Sequence, residues 1–310
     1  MSKIAFIFPG QGAQKIGMGK EFYDNTEIGK EVYDKASEAV GLDLKALCFE
    51  ENEQINITEY TQVALVTTSV AMMKVLEEKG IHPDVAAGLS LGEYCALVAA
   101  GSMDYIDAAK AVRKRGILMQ EEVPTGVGAM AAVMGLDKEQ IEEAIADIAD
   151  VQIANYNCPG QIVISGKKEA VETANEALKA AGARRTLMLN VSGPFHSDML
   201  QGAGEKLAPV LEQIEINTPV IPYAANVTAE YVTNKDDIKP LLVKQVSSSV
   251  RWQQTIENMV ADGVDVFIEI GPGKTLAGFN KKIGKALDKE IKTLNIETLA
   301  DIDTVVNELA

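Results

Sequence analysis

The sequence predicts an α/β fold, a parallel sheet flanked by helices on both faces, with a second, smaller α/β unit inserted into it. Three observations carry this expectation. Short, continuous apolar runs at residues 3–8, 84–88 and 264–270 read as strands buried on both faces. Apolar helical patterns lie between them, as a covered parallel sheet requires. Within residues 129–191 the pattern changes to short elements in the order β-α-β-β-α-β, the split arrangement of a ferredoxin-like unit.

Residues 3–8 form a first buried strand, followed by the glycine-rich turn Pro9-Gly10-Gln11-Gly12 and by helical patterning from about Lys20. Residues 62–79 make a strongly apolar helix closed by Gly80. A strand at 84–88 runs into a helix-forming stretch from Glu93, and 105–123 repeats apolar residues at helical spacing. In the middle, 129–134 is strand-like, and 137–148 is helical, with Asp137 and Gln140 spaced as a capping box. Strands at 151–155 and 161–165 flank an Asn-Cys-Pro-Gly turn. A helix at 167–181, closed by Gly182, leads to a strand at 184–191. The expected division is a large unit of residues 1–124 and 196–310 and a small one of residues 125–195, with a cleft between them.

Bulk properties exclude several classes. The net charge of −16 argues against broad nucleic-acid binding, which needs clustered Lys and Arg. No apolar run approaches a membrane span, and the N-terminal stretch is too short and lacks the cleavage site of a signal peptide. Cys48, Cys95 and Cys158 are widely separated, which suits a reducing cytoplasm and gives neither a disulfide framework nor a metal site. Lys281, Lys282 and Lys285, followed by Lys289 and Lys292, read as one solvated helical face, or as a landing patch for an acidic partner. Gly273-Lys274-Thr275 resembles the end of a P-loop, but Ile268 stands where its first glycine belongs. Gly126–Ala131 fits a loose dinucleotide pattern but precedes a strand instead of following one.

Gly88-Leu89-Ser90-Leu91-Gly92 matches G-x-S-x-G, between a strand and a helix, the context of a nucleophile elbow. The helix that follows aims its free N–H groups at any oxyanion formed there. The sequence holds two histidines. His82 stands at the entrance of the strand that delivers Ser90, at the wrong end of the sheet. His196 lies where the inserted unit rejoins the main one, so elimination makes it the base. The group that orients His196 is either the nearby Asp198 or a backbone carbonyl. Arg115 falls on the inward stripe of its helix with Ala108, Val112, Met119 and Val123, while Arg113 and Lys114 read as surface charges. A buried guanidinium needs an anion, either an internal carboxylate or a substrate carboxylate.

With these residues in place, the chain resembles the malonyl-CoA:acyl carrier protein transacylase family of fatty acid synthesis. The resemblance runs through Phe8–Gly12, Gly88–Glu93, Arg115-Gly116 with Met119-Gln120, Asn157–Gly160, Phe195-His196 and Glu269–Lys274, in the family's order. It implies a hydrolase-like core carrying the ferredoxin-like unit, with Ser90 as nucleophile, His196 as base and Arg115 as receptor of the malonyl carboxylate. It also implies an oxyanion hole from the backbone N–H groups of Gln11 and Leu91, and a His196-orienting carbonyl from Gln245. Phe195 resembles malonyl-selective members. Leu89 departs from the family, which usually has histidine there, and Ser247–Ser249 is unusual after Gln245. The resemblance further implies malonyl-CoA as substrate, phosphopantetheine carried by the partner acyl carrier protein, no resident cofactor, and a monomer working in the cytoplasm. The acidic carrier would dock on the lysines near 281–292 or on Arg113 and Lys114. An esterase using the same pair, which would not need Arg115, and a non-catalytic binding lobe are the competing readings.

Overall fold

The computed structural model describes residues 2–309. Among these residues ten strands are formed: β1 (Ile4–Phe8), β2 (Val85–Gly88), β3 (Gly128–Met134), β4 (Val151–Cys158), β5 (Gln161–Lys167), β6 (Arg185–Met188), β7 (Tyr223–Ala224), β8 (Tyr231–Val232), β9 (Val266–Ile270) and β10 (Lys292–Ile296). They divide into two sheets. A 6-stranded sheet has the order β10-β9-β1-β2-β7-β8, parallel except for the β7–β8 pair at its edge. A 4-stranded antiparallel sheet has the order β4-β5-β3-β6. The chain is therefore α/β, with helices flanking the parallel sheet and a separate antiparallel sheet built from residues 128–188.

The central strands are buried along their length because both faces are covered: β2 is buried at every position, and so is β9. One face of the large sheet packs into a cluster containing Phe6, Phe8, Ala86 and Ile268, and the other into one containing Ile7, Ala87, Trp252 and Phe267. The apolar helix begins earlier than its pattern suggests, at Thr58, and runs to Glu78, buried over most of its length. No described helix is long and apolar enough to cross a membrane.

In the smaller sheet the helix Lys138–Ile145 carries the expected capping box, with the Asp137 side chain accepting from the Gln140 N–H and the Gln140 side chain accepting from the Asp137 N–H. The last strand, β6, stops at Met188, so 189–195 is free to lead irregularly back to the large sheet. The two sheets are tied together at β4. Val250 donates to Ala154 O at 2.8 Å, Tyr156 donates to Val250 O at 2.9 Å, and the Ser249 hydroxyl donates to Ile153 O at 2.6 Å. These bonds hold the loop after Gln245 against the small sheet.

Two expectations about charge need correction. Lys292 does not extend the lysine-bearing helix. That helix spans Thr275–Ala286, and Lys292 opens β10, pairing with Glu308. The chain turns back after Ala286 through Asp288 (φ 52°) so that β10 can extend the sheet beside β9. Arg113 is not a free surface charge either. Its guanidinium pairs with Glu59 at 2.5 Å and lies 4.6 Å above the Tyr60 ring, because the helix Tyr105–Glu122 packs against the start of Thr58–Glu78.

Candidate active site

The turn after β2 places Ser90 at φ 52°, a left-handed backbone that costs a non-glycine residue roughly 1–3 kcal/mol. The flanking glycines are steric requirements of this turn. A Cβ at Gly88 would sit 1.9 Å from the Gly92 carbonyl carbon, and one at Gly92 would sit 2.3 Å from Phe8 O. His196 has φ 58°, so both members of the pair are held in strained conformations. The histidine loop is fixed by Ser197, whose hydroxyl donates to Pro194 O at 2.7 Å, and by Gln152. The Gln152 amide donates to His196 O at 3.3 Å and accepts from the Asp198 N–H at 3.0 Å.

Ser90 Oγ lies 2.7 Å from His196 Nε2. His196 Nδ1 faces two carbonyls, Gln245 O at 2.9 Å and Ser248 O at 3.1 Å. Carbonyls only accept, so Nδ1 carries the proton and Nε2 is left with its lone pair toward the serine hydroxyl. Asp198 makes no hydrogen bond to the ring; of the two alternatives, it is backbone carbonyls that stand within hydrogen-bond distance of Nδ1. Ser248 was not visible as a partner, since a backbone acceptor has no side-chain signature. Burial, and then the nearby Arg115 charge, push the His196 pKa down to about 4, against the two carbonyl bonds that raise it. His82 is exposed at the other end of β2.

Arg115 is buried, 1% exposed. Its Nη1 donates to Gln62 Oε1 at 2.9 Å and its Nη2 to Gln245 Oε1 at 3.0 Å, with Ser90 Oγ 3.5 Å from Nη2. Nε has no partner, and among the described residues no carboxylate forms an ion pair with this guanidinium. Desolvation lowers its pKa. The nearest buried acid is Glu93, which is separated from Arg115 by the Gln245 side chain: Gln245 Nε2 donates to Glu93 Oε2 at 2.8 Å. Burial raises Glu93 to about 7, although bonds from Gln245 and Asn226 and the Arg115 charge oppose the shift. A cation desolvated among neutral amides and opening onto a cleft can accept an anion from outside.

The cleft has a volume of about 500 Å³ and is lined by Gln11, Gln62, Leu89, Ser90, Leu91, Arg115, Asn157, Phe195, His196 and Phe279 among others. A larger groove, about 770 Å³, lies elsewhere between Val40, Ile117 and Pro209 and holds neither Ser90 nor His196. Among the described residues, neither the Gln11 nor the Leu91 backbone N–H has a backbone acceptor, and both residues line the cleft. Thus Ser90, His196, Arg115, Gln11, Leu91 and Gln245 are brought to one place. Gln62, Glu93 and Asn226 join them without having been singled out from sequence. Leu89 is half-buried on the same cleft wall. No cluster of metal-ligating side chains occurs among the described residues.

Known proteins are similar to this chain over nearly its whole length. The family described as an acyl transferase domain matches residues 5–298. The malonyl CoA-acyl carrier protein transacylase of Bacillus subtilis (strain 168) is 47% identical over 312 residues, covering 97% of this chain and 98% of its own. That of Escherichia coli (strain K12) is 46% identical over 288 residues, covering 91% and 93%. The crystal structure of the Clostridium perfringens enzyme of the same name superposes with a TM-score of 0.95 at 46% identity, over 99% of this chain and 97% of that one. A malonyl-transacylase solved in complex with a type II PKS acyl-carrier protein gives a TM-score of 0.95 at 41% identity, over 99% and 100%. The chain belongs to the malonyl CoA-acyl carrier protein transacylase family of acyl transferases.

Proposed function

We propose that this chain moves a malonyl group from malonyl-CoA to the phosphopantetheine thiol of an acyl carrier protein, supplying fatty acid synthesis, by a ping-pong mechanism through O-malonyl-Ser90. The observation that carries the reading is the buried Arg115 guanidinium, unpaired with any carboxylate among the described residues and 3.5 Å from Ser90 Oγ. A thioesterase using the same pair has no need of it. In this reading the malonyl carboxylate fills the Arg115 fork, and an acetyl group is disfavoured because it leaves the charge unpaired.

His196 Nε2 takes the proton of Ser90 Oγ as the oxygen attacks the thioester carbonyl. The N–H groups of Gln11 and Leu91 receive the oxyanion. Collapse breaks the C–S bond, and His196 returns the proton to the departing coenzyme A sulfur. The carrier thiol then enters, gives its proton to His196 and attacks the ester carbonyl. The Ser90 oxygen leaves and regains the proton. The Gln245 carbonyl orients the imidazole throughout, and the partner brings its own phosphopantetheine, so each step is carried by protein groups and the two substrates.

Lys281, Lys282 and Lys285 are the proposed landing patch. All three are exposed, none is within ion-pair distance of a carboxylate among the described residues, and their helix, Thr275–Ala286, contributes Thr275 and Phe279 to the cleft wall. Lys282 also reaches Gln161 of the small sheet, at 3.1 Å. An acidic carrier approaching an otherwise acidic protein would be steered there. In this reading the enzyme works as a monomer in the cytoplasm, with residues 1–124 and 196–310 as its hydrolase-like large unit and 125–195 as its small one. Mixing the chain with malonyl-CoA and holo-acyl carrier protein tests the proposal. A carrier mass increased by one malonyl group is expected, whereas release of free malonate with an unmodified carrier would assign hydrolysis instead.

A further inference from the structure

Ser90 sits in a strained turn, and something other than the local backbone must hold it there. β7 runs parallel to β2, with Ala86 beside Tyr223 and Ala87 beside Ala224. The chain leaving β7 therefore passes alongside Gly88–Ser90, and two residues later it presents Asn226, 1% exposed. We infer that Asn226 is a positioning residue for the acyl-transfer nucleophile, its side-chain amide bridging the turn from the Ser90 N–H to the Gly88 carbonyl. This rests on the reading of Ser90 as nucleophile.

Both ends of the amide are used. Oδ1 accepts from the Ser90 N–H at 2.6 Å, and Nδ2 donates to Gly88 O at 2.7 Å. An amide suits this span because it offers an acceptor and a donor on one short, planar group. The Asn226 backbone is itself anchored: its N–H donates to Glu93 Oε2 at 3.2 Å and its carbonyl accepts from Arg251 N at 2.9 Å. Gln245 Nε2, at the end of the helix Ile238–Gln245, donates to Ser90 O at 2.8 Å, so side chains from two distant parts of the chain grip the serine's amide and carbonyl.

The consequence is chemical as well as steric. With its N–H occupied by Asn226, Ser90 cannot turn that group toward an oxyanion, which leaves the work to Gln11 and Leu91. The same bond fixes the serine backbone, and with it the direction of Oγ toward His196. Such alignment matters steeply, since small displacements from attack geometry lower the rate while leaving binding nearly intact.

The test is single-turnover loading by malonyl-CoA, followed by intact mass at increasing malonyl-CoA concentration, for the parent, Asn226→Ala, Asn226→Asp and Ser90→Ala. Each variant is measured where circular dichroism shows it folded. Asn226→Ala is expected to lower the saturated loading rate about 30-fold, with the half-saturating concentration within about 3-fold of the parent. Asn226→Asp keeps the acceptor for Ser90 but sets an oxygen against Gly88 O, and is expected to lose about 10-fold. A folded Asn226→Ala protein that melts earlier yet loads at the parent rate would make the residue merely structural and overturn the inference. If Asn226→Ala does not fold, parent-rate loading by Asn226→Asp overturns it instead. Loading that persists in Ser90→Ala refutes the nucleophile reading, a result distinct from either outcome at position 226.

Discussion

Ser90 Oγ and His196 Nε2 stand 2.7 Å apart although 106 residues separate them in the chain. The contact is assembled by two non-local features: β2, which ends in the glycine-framed turn, and the irregular return from the small sheet. Neither residue acquires its role from its neighbours in sequence alone.

The state of that imidazole fixes the expected pH dependence. In the proposed mechanism the base is the neutral ring, and burial with the Arg115 charge holds its pKa at about 4. As pH falls, the neutral fraction persists through pH 6 and declines only on passing about 4. The acid limb of kcat/KM for malonyl-CoA assigned to His196 should therefore lie well below the ordinary histidine value of about 6.5. A His196-dependent limb between pH 6 and 7 would contradict the buried geometry.

Glu93, raised to about 7 by burial, contributes separately. Its raised folded-state value means that stability from this group is present below its unfolded pKa and is lost as pH rises through about 7. Glu93→Gln should flatten this part of the stability profile, measured by urea unfolding between pH 5 and pH 8. An unchanged slope would show that Glu93 is charged throughout.

Arg115→Ala should lower malonyl transfer by about 100-fold and shift the malonyl-to-acetyl ratio toward acetyl, because the unpaired cation is removed together with its ligand. Competition between malonyl-CoA and acetyl-CoA, read by carrier mass, measures this. Unchanged selectivity would remove Arg115 as the carboxylate receptor.

Reversing charge at the landing patch, with Lys281→Glu, Lys282→Glu and Lys285→Glu combined, should slow transfer to the carrier about 10-fold at low salt while leaving loading from malonyl-CoA within about 2-fold. Stopped-flow transfer measured at two ionic strengths checks it. Equal effects on both half-reactions would place the carrier elsewhere.

Gly88→Ala should destabilise the fold by about 3 kcal/mol or more, since the added Cβ meets rigid backbone at 1.9 Å. Thermal unfolding measures the loss. A variant with parent stability would mean that the turn relaxes easily.

How much of this was legible depended on how local each signal is. The G-x-S-x-G turn, the capping box at Asp137 and the buried strands announce themselves within a few residues. His196 emerged because one other histidine competed with it. The roles proposed for Gln11, Leu91 and Gln245 belong to backbone groups, which any residue possesses, so the family resemblance supplied them. Asn226 and Gln62 reach the site only through the pairing of β7 with β2 and the packing of Thr58–Glu78 on Tyr105–Glu122. Arg113 was misread for the same reason: helical spacing gave its direction but not the Glu59 and Tyr60 waiting across the interface.

The most direct test of the account is exposure of the chain to malonyl-CoA with no carrier present, followed by intact mass and peptide mapping. The account predicts one malonyl group per chain, borne on the peptide containing Ser90, absent in Ser90→Ala and His196→Ala, and discharged on adding holo-acyl carrier protein. A malonyl group mapped to another residue, or unchanged labelling of the Ser90→Ala chain, would contradict it.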